Sequence, residues 1–256
     1  MAVVETSLAA GVLTITLNDE ERRNALSAEL VDGLLAAFAD ADADPSVRVV
    51  VLTNAGRVFC AGANLAERSN GGPAAIRDPS ALFGHIRRSP KPYVGRIAGH
   101  CVAGGMGLAA ALDVSVAVDD ALFGFTEVRV GVAPAVISVV CLPKLREADA
   151  RAAFLRGGRF PATEAARMGL INAAVPAADL DAEVDAVVQD LLLGGPQALA
   201  AAKELLRTVP GMPEDDAFAW AGELSARLFA GDEGREGMAA YLEKRRPSWA
   251  PAADAG

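Results

Sequence analysis

One carboxylate and two glycine-rich turns are the features of this 256-residue chain best suited to chemistry. Glu127 is predicted to end the strand "FGFTE", and the apolar residues near it are Phe123, Phe125, Val128 and Val130. A carboxylate in an apolar pocket has a raised pKa and can serve as a general acid or base near neutral pH. The two turns are "FCAGANL", residues 59–65, and "VAGGMGL", residues 102–108.

Both turns consist of small residues, which leave the backbone open to a ligand. A turn that leads into a helix also carries N–H groups without intrahelical partners. If the two turns point at one place, their amides form an oxyanion hole, in which each donor contributes about 2.7–4 kcal/mol to a developing enolate. Taken singly, each turn could instead serve only the close packing of a helix on a strand.

Several other kinds of site do not fit these residues. The glycines at 104, 105 and 107 do not have the G-x-G-x-x-G spacing of dinucleotide-binding loops, and no P-loop Lys-Ser/Thr follows them. The three cysteines are odd in number and show no metal-ligand spacing with His85 or His100, so we expect reduced, buried thiols and no metal. Both histidines are therefore expected to be non-catalytic.

Composition narrows the class of protein further. A net charge of -9 disfavours non-specific nucleic-acid binding, because a phosphate backbone repels an acidic surface. The N-terminus has no signal-peptide pattern, and no apolar run reaches the roughly 18 residues of a spanning helix. We therefore expect a cytoplasmic protein without nucleic-acid or membrane partners. A hydrophobic content of 52% allows a large core.

The first part of the chain alternates strands and helices. Residues 3–18 predict a β-hairpin around Ala9-Ala10-Gly11. Ser27 is placed as the N-cap of a helix whose apolar residues recur at helical spacing until Pro45. The valine run of residues 47–56 predicts a strand buried on both faces.

The later part of the chain is mostly helical. Residues 67–92 are polar and predict a long loop with a short helix, and Pro134 is placed to begin a helix at its first position. Beyond Glu147 the predicted helices include 180–193, 215–229 and 232–245, and only "LINAAVP", residues 170–176, predicts a strand there.

Taken together, the motifs resemble those of the crotonase (enoyl-CoA hydratase/isomerase) superfamily over nearly the whole chain. They are the hairpin, "RRNALS", "FCAGANL", "KPYVGRIAGHCVAGGMGLAAALD", "FGFTEVRVGVAP", "LRGGRFPATEAARMGLINAAVP" and "YLEKRRPSW". The resemblance implies an α/β fold: a spiral β/α core that binds acyl-CoA, residues 1–195, and a helical C-terminal trimerisation region, residues 196–256. It also implies a homotrimer or a dimer of trimers.

The resemblance also assigns roles to residues. The oxyanion amides would be those of Ala61 and Gly104, and Glu127 would be the acid/base. Backbone near Ala25, Ala61, Ala63 and Leu65 would contact coenzyme A, and Arg22 and Arg23 are the candidates for its phosphates, although the two arginines could equally be a solvated charge run. Coenzyme A is part of the substrate, so no separate cofactor is expected.

The sequence departs from the family at one catalytic position. Hydratases of the family hold a water between two glutamates, and the first of these falls on Gly107 when the residues are counted back from Asp113. No carboxylate occurs from Tyr93 to Leu112. The family label favours a hydratase, whereas a single acid/base favours an isomerase or weak hydration. A protein that binds acyl-CoA with little catalysis is the remaining alternative. Asp113 itself is expected to be structural.

Overall fold

The fold was analysed in a computed structural model that describes residues 2–70 and 77–251. The first of its two sheets has the strand order β1 (Val4–Ala9), β2 (Val12–Leu17), β3 (Val49–Asn54), β5 (Tyr93–Ile97), β7 (Val114–Val118), β10 (Ala173–Val175). The second has the order β4 (Val58–Cys60), β6 (His100–Val102), β8 (Leu122–Gly124), β9 (Phe160–Pro161). Strand pairs are parallel except β1 with β2 and β8 with β9.

Consecutive strands from β3 to β8 alternate between the two sheets. The chain therefore winds forward as a spiral, and each turn adds one strand to each sheet. This arrangement confirms the α/β prediction with a spiral core. The ends of β4 and β6 lie side by side, which brings the two glycine-rich turns to the same edge of the second sheet.

Eleven helices are present in the described ranges. They are α1 (Ala28–Ala43), α2 (Leu65–Asn70), α3 (Ser80–Arg88), α4 (Gly104–Ala111), α5 (Ala135–Cys141), α6 (Glu147–Arg156), α7 (Ala162–Met168), α8 (Leu180–Leu193), α9 (Pro196–Thr208), α10 (Glu214–Ala230) and α11 (Asp232–Glu243). Short 3₁₀ turns span Glu127–Val130 and Val209–Gly211. The last three helices form the predicted helical C-terminal region.

Local sequence signals account for the first elements. Ala10 and Gly11 both have positive φ, as a tight hairpin turn requires, and glycine meets this requirement without strain. The Ser27 hydroxyl accepts a 3.2 Å hydrogen bond from the Leu30 amide and caps α1, which ends before Pro45. Every residue of β3 is buried, as its valine run predicts.

Three local predictions were wrong. Glu127 begins a 3₁₀ turn and does not end a strand, because β8 stops at Gly124. Pro134 precedes α5 and is not its first residue. Beyond Glu147 there is a second strand, β9, which pairs antiparallel with β8. Of the predicted loop at 67–92, residues 71–76 lie outside the described residues.

The core lies between the two sheets and the helices around them. Its largest fully buried side chains include Phe38, Phe59, Tyr93, Phe123 and Phe125. Within residues 2–70 and 77–251, no helix has both the length and the apolar character needed to cross a lipid bilayer.

Candidate active site

The two glycine-rich turns are in direct contact. They follow β4 and β6, whose Cys60 and Cys101 are paired in register. A Cβ at Gly62 would lie 2.7 Å from the Gly104 nitrogen, and Gly62 has a φ of +85°, so this position requires glycine for two reasons. The close approach of the two backbones is the arrangement that an oxyanion hole needs.

The two predicted oxyanion amides are in different states. Gly104 begins α4, so its N–H has no carbonyl four residues earlier in the helix to pair with. The Ala61 N–H already donates to the Arg23 carbonyl, at 3.1 Å. A ligand oxygen at this turn therefore has to compete with the Arg23 carbonyl for the Ala61 amide.

Asn24 holds the segment that carries this carbonyl. Its buried side chain donates to the carbonyls of Val58 (2.7 Å) and Ala55 (3.2 Å) and accepts from the Asp19 amide (2.7 Å). Asn24 has a φ of +51°, in the left-handed region that Asn tolerates better than most residues. Sequence reasoning missed this residue. The signal was an Asn that follows two arginines and precedes Ala25 and Leu26, because Asn is common in tight turns.

The predicted coenzyme A contacts surround these turns. Arg22 lies 3.3 Å from Asp19 in an ion pair, whereas Arg23 is exposed and has no ion pair with any residue that the structure describes. Ala25 is buried, Ala63 is half-buried and bridged to Leu26, and Leu65 is exposed at the start of α2. The surface beside the turns thus combines open backbone, one apolar side chain and a free guanidinium.

Glu67, which the sequence analysis did not single out, fixes α2 against α1. Its carboxylate accepts from the Ala28 amide (3.1 Å) and from the Asn64 side-chain amide (3.0 Å). These bonds satisfy one of the unpaired amides at the start of α1 and hold the end of the "FCAGANL" turn.

Glu127 has one buried carboxylate oxygen that lacks a hydrogen bond. Its Oε2 has no hydrogen-bond partner among the described residues, and burial raises the pKa of this carboxyl above its ordinary value. Of the apolar residues near it in the sequence, Phe123 and Phe125 are buried, whereas Val128 and Val130 are exposed. A carboxylate with a buried oxygen that lacks a partner is available to exchange a proton with a ligand.

Gly107 is packed against two apolar side chains. A Cβ at this position would lie 2.5 Å from Ile137 Cγ2 and 2.8 Å from Phe83 Cζ. Ile137 comes from α5 and Phe83 from α3, and both are buried. The space that a side chain at 107 would need is therefore occupied, and no sequence signal identified the two residues that fill it.

Asp113 has a structural position, at the far end of α4 from Gly104. Its Oδ2 accepts from the Tyr93 amide at 2.8 Å and from Lys203 Nζ at 2.7 Å. The Lys203 ammonium also donates to the carbonyls of Ile86 (3.0 Å) and Lys91 (2.7 Å). All three of its protons are thus used.

The histidines and cysteines are held by contacts within the fold. His100 Nδ1 accepts from the Leu122 amide at 3.0 Å, and His85 Nε2 lies 2.9 Å from Asp42. Cys60, Cys101 and Cys141 are free and buried, as predicted, and burial raises the pKa of each thiol. Buried thiols with raised pKa values are poor nucleophiles.

Comparison with known proteins gives one consistent result. Residues 7–252 match the family described as enoyl-CoA hydratase/isomerase. A putative enoyl-CoA hydratase of Thermus thermophilus is 39% identical over 243 residues, covering 92% of this chain and 96% of that protein. The carnitinyl-CoA dehydratase of Escherichia coli is 33% identical over 247 residues, covering 93% and 94%. The crystal structure of a Mycobacterium smegmatis enoyl-CoA hydratase superposes with a TM-score of 0.91 at 31% identity, covering 96% and 98%.

Proposed function

Because the chain belongs to the enoyl-CoA hydratase/isomerase family, we propose that it moves the double bond of an enoyl-CoA thioester, with Glu127 as its single acid/base. The substrate class follows from the family, and the choice of isomerisation follows from the packing around Gly107. Acyl-chain length and branching are not part of the proposal.

The observation that carries the proposal is the filled space beside Gly107. Hydration adds a hydroxyl at one carbon and a proton at its neighbour, and a second acid/base that holds the water typically contributes a factor of about 10²–10⁴. Phe83 and Ile137 occupy the space that a carboxylate at 107 would need. Their side chains can neither orient a water molecule nor accept its proton.

Isomerisation needs only one group that takes and returns a proton. The Glu127 carboxylate removes a proton from C2 of a 3-enoyl-CoA, and the electron pair delocalises through the thioester carbonyl as a dienolate. The same proton then returns to C4, so the double bond lies between C2 and C3 and Glu127 is again a carboxylate. Atoms and charge balance without a water molecule or a cofactor.

The backbone amides stabilise the charge that forms between the two proton transfers. The Gly104 amide is free to donate to the enolate oxygen, and the Ala61 amide becomes available when the substrate oxygen replaces the Arg23 carbonyl. Two such donors together lower the barrier by several kcal/mol. We assign the phosphates of coenzyme A to Arg22 and Arg23, and its pantetheine and adenine portions to the backbone around Ala25, Ala63 and Leu65.

The decisive experiment offers the enzyme 3-enoyl-CoA and 2-enoyl-CoA of several lengths. We expect conversion of 3-enoyl-CoA to 2-enoyl-CoA without a hydroxyacyl product, and loss of turnover in Glu127→Gln. The matched control is Glu147→Gln, which changes an exposed glutamate of α6. Unchanged turnover in Glu127→Gln would show that the proposed acid/base is wrong.

Hydration is the second candidate, because the relatives from Thermus thermophilus and Mycobacterium smegmatis are named hydratases. A 3-hydroxyacyl-CoA product from 2-enoyl-CoA, at a rate comparable to that of isomerisation, would favour this reaction. Binding of both thioesters without turnover would instead identify an acyl-CoA-binding protein.

We also propose that the chain forms a homotrimer or a dimer of trimers through its C-terminal helices. Large apolar side chains of α10 and α11 are exposed in the single chain: Phe218, Phe229, Met238, Tyr241 and Leu242. Apolar groups exposed in such number on neighbouring helices are typical of an interface. Sedimentation equilibrium gives the test, and a monomeric mass would contradict this assembly. The two-part division at residue 195 and the cytoplasmic location stay predictions.

A further inference from the structure

A cavity of about 360 Å³ is lined by residues other than those of the candidate active site. Its walls come from the C-terminal end of α3 and from the facing sides of α9 and α10. α4 separates the two places, since Gly104 begins this helix and Asp113, bonded to Lys203 beneath the cavity, follows its end. Eight helical residues correspond to a separation of about 12 Å.

Four arginines line this cavity, and we call it the arginine groove. They are Arg87 and Arg88 of α3, Arg207 of α9 and Arg227 of α10. The lining contains one carboxylate, Glu204. None of the four guanidinium groups forms an ion pair with a described residue, a state that they share with Arg23, whereas Arg151 pairs with Glu147 at 3.0 Å.

The helices explain where the arginines lie in the sequence. Each belongs to the last turn of its helix, where a cation offsets the partial negative charge of the helix end. The fold then brings residues from three such turns to one cavity. The result is an excess of positive charge on a chain whose net charge is -9.

The base of the groove is apolar and electrically balanced. Ala201 and Leu224 are buried there, and the charge of the buried Lys203 is matched by Asp113. Because every Lys203 proton already has an acceptor, this ammonium is not available to a ligand. The donors open to a ligand are the guanidinium groups at the rim, whose paired N–H groups fit the oxygens of a phosphate.

We propose that the arginine groove binds a phosphate-bearing anion at a site separate from the thioester site. Its volume lies within the range of small-molecule sites, about 300–1,000 Å³, and exceeds what a single phosphate needs. The groove also follows α9 from Gln197 to Arg207, so an elongated anion with two or more phosphates fits it better than inorganic phosphate. This assignment does not depend on the reaction that Glu127 performs.

Calorimetric titration with pyrophosphate at low ionic strength tests the site, with inorganic phosphate as the weaker comparison. We expect one pyrophosphate bound per chain and a loss of at least about tenfold in affinity in Arg87→Gln/Arg227→Gln, because two charge-assisted contacts are removed. Added salt should weaken binding by the wild type. Arg151→Gln, which changes an exposed and paired arginine of α6, should bind as the wild type does.

Four results would overturn the proposal. The first is no binding of pyrophosphate by the wild type, and the second is unchanged affinity in the double variant. The third is loss of binding in Arg22→Gln/Arg23→Gln instead of in the double variant. The fourth is a change of sedimenting mass in the groove variants. The third result would assign the anion to the coenzyme A phosphate site, and the fourth would make the groove an interface between copies. If the double variant does not fold, as judged by circular dichroism, Arg207→Gln replaces it, because Arg207 is exposed. This variant should also bind pyrophosphate more weakly than the wild type, with a smaller loss of affinity.

Discussion

Glu127 and Lys203 are two charged residues with opposite hydrogen-bond states: Lys203 is buried, and Glu127 is half-buried with one buried oxygen. The Lys203 ammonium has three acceptors at 2.7–3.0 Å, whereas the buried Oε2 of Glu127 has none in the described part of the chain. Burial shifts both pKa values toward the neutral form, lowering that of Lys203 and raising that of Glu127. The attraction of Asp113 opposes this effect only at Lys203.

Lys203 thus has the contacts of a structural charge, and Glu127 has the free oxygen expected of the proposed acid/base. A buried ion whose bonds are all made by the protein holds distant segments together and has nothing left to offer a ligand. A buried carboxylate with a free oxygen costs stability, and such a cost is typical of catalytic groups. Variants at each residue, and at Gly107 of α4, test this distinction.

The largest effect is expected for Glu127→Gln. The amide cannot take a proton from the substrate, so isomerase turnover should fall by a factor of about 10²–10⁴. The same variant should melt at a higher temperature than the wild type, because it removes a half-buried charge whose Oε2 has no partner among the described residues. Turnover and thermal melts of one preparation measure both. A lower melting temperature would mean that Glu127 is structural.

The opposite pattern is expected for Lys203→Met. This change leaves the Asp113 carboxylate and two carbonyls without their donor, and breaking a buried ion pair typically costs about 3–5 kcal/mol. Urea unfolding measures the loss, and the turnover of the remaining folded enzyme should stay close to that of the wild type. The double variant Lys203→Met/Asp113→Asn should recover part of the stability, since the uncompensated charge is gone.

Gly107→Glu should destabilise the chain without producing a hydratase. The new side chain meets Ile137 and Phe83, and overpacking of a core typically costs about 1–3 kcal/mol. Adding Ile137→Ala should restore part of the stability, because it removes the nearest contact. Urea unfolding and the assay for 3-hydroxyacyl-CoA measure the two outcomes. Efficient hydration by Gly107→Glu alone would show that the space is not closed.

The smallest effect is the pH dependence of stability. The folded-state pKa of Glu127 lies above the ordinary value of 4.5, so ionisation of this group destabilises the fold as pH rises between the two values. The stabilisation by Glu127→Gln should therefore be greatest near neutral pH and should vanish towards pH 4.5 and below. Wild-type turnover should instead rise with pH through the raised pKa, because the ionised carboxylate is the base. Melting curves and rates over this range test both trends.

Sequence reasoning succeeded where the determining contacts are local. The cap at Ser27 and the apolar spacing after it lie within one helix. The uninterrupted valine run of β3 is enough to predict a strand buried on both faces. The family resemblance added the order of the elements and the identities of Ala61, Gly104 and Glu127 as candidates. It also directed attention to Gly107.

The remaining features depend on contacts between distant segments. Phe83, Gly107 and Ile137 lie on three different helices, so no local pattern shows that they share one space. Lys203 and Asp113 are separated by 90 residues, and neither the length of a loop nor its composition predicts their contact. The hydrogen bond from Ala61 to Arg23 is likewise a result of the left-handed turn at residues 23 and 24.

The ammonium of Lys203 also bears on how the chain unfolds. It belongs to α9, in the helical C-terminal region, while its acceptors belong to α3, to the segment before β5 and to the end of α4. Detaching the last helices from the core would expose these acceptors at the same moment. The core and the first C-terminal helix should therefore melt as one cooperative unit, with a single calorimetric transition.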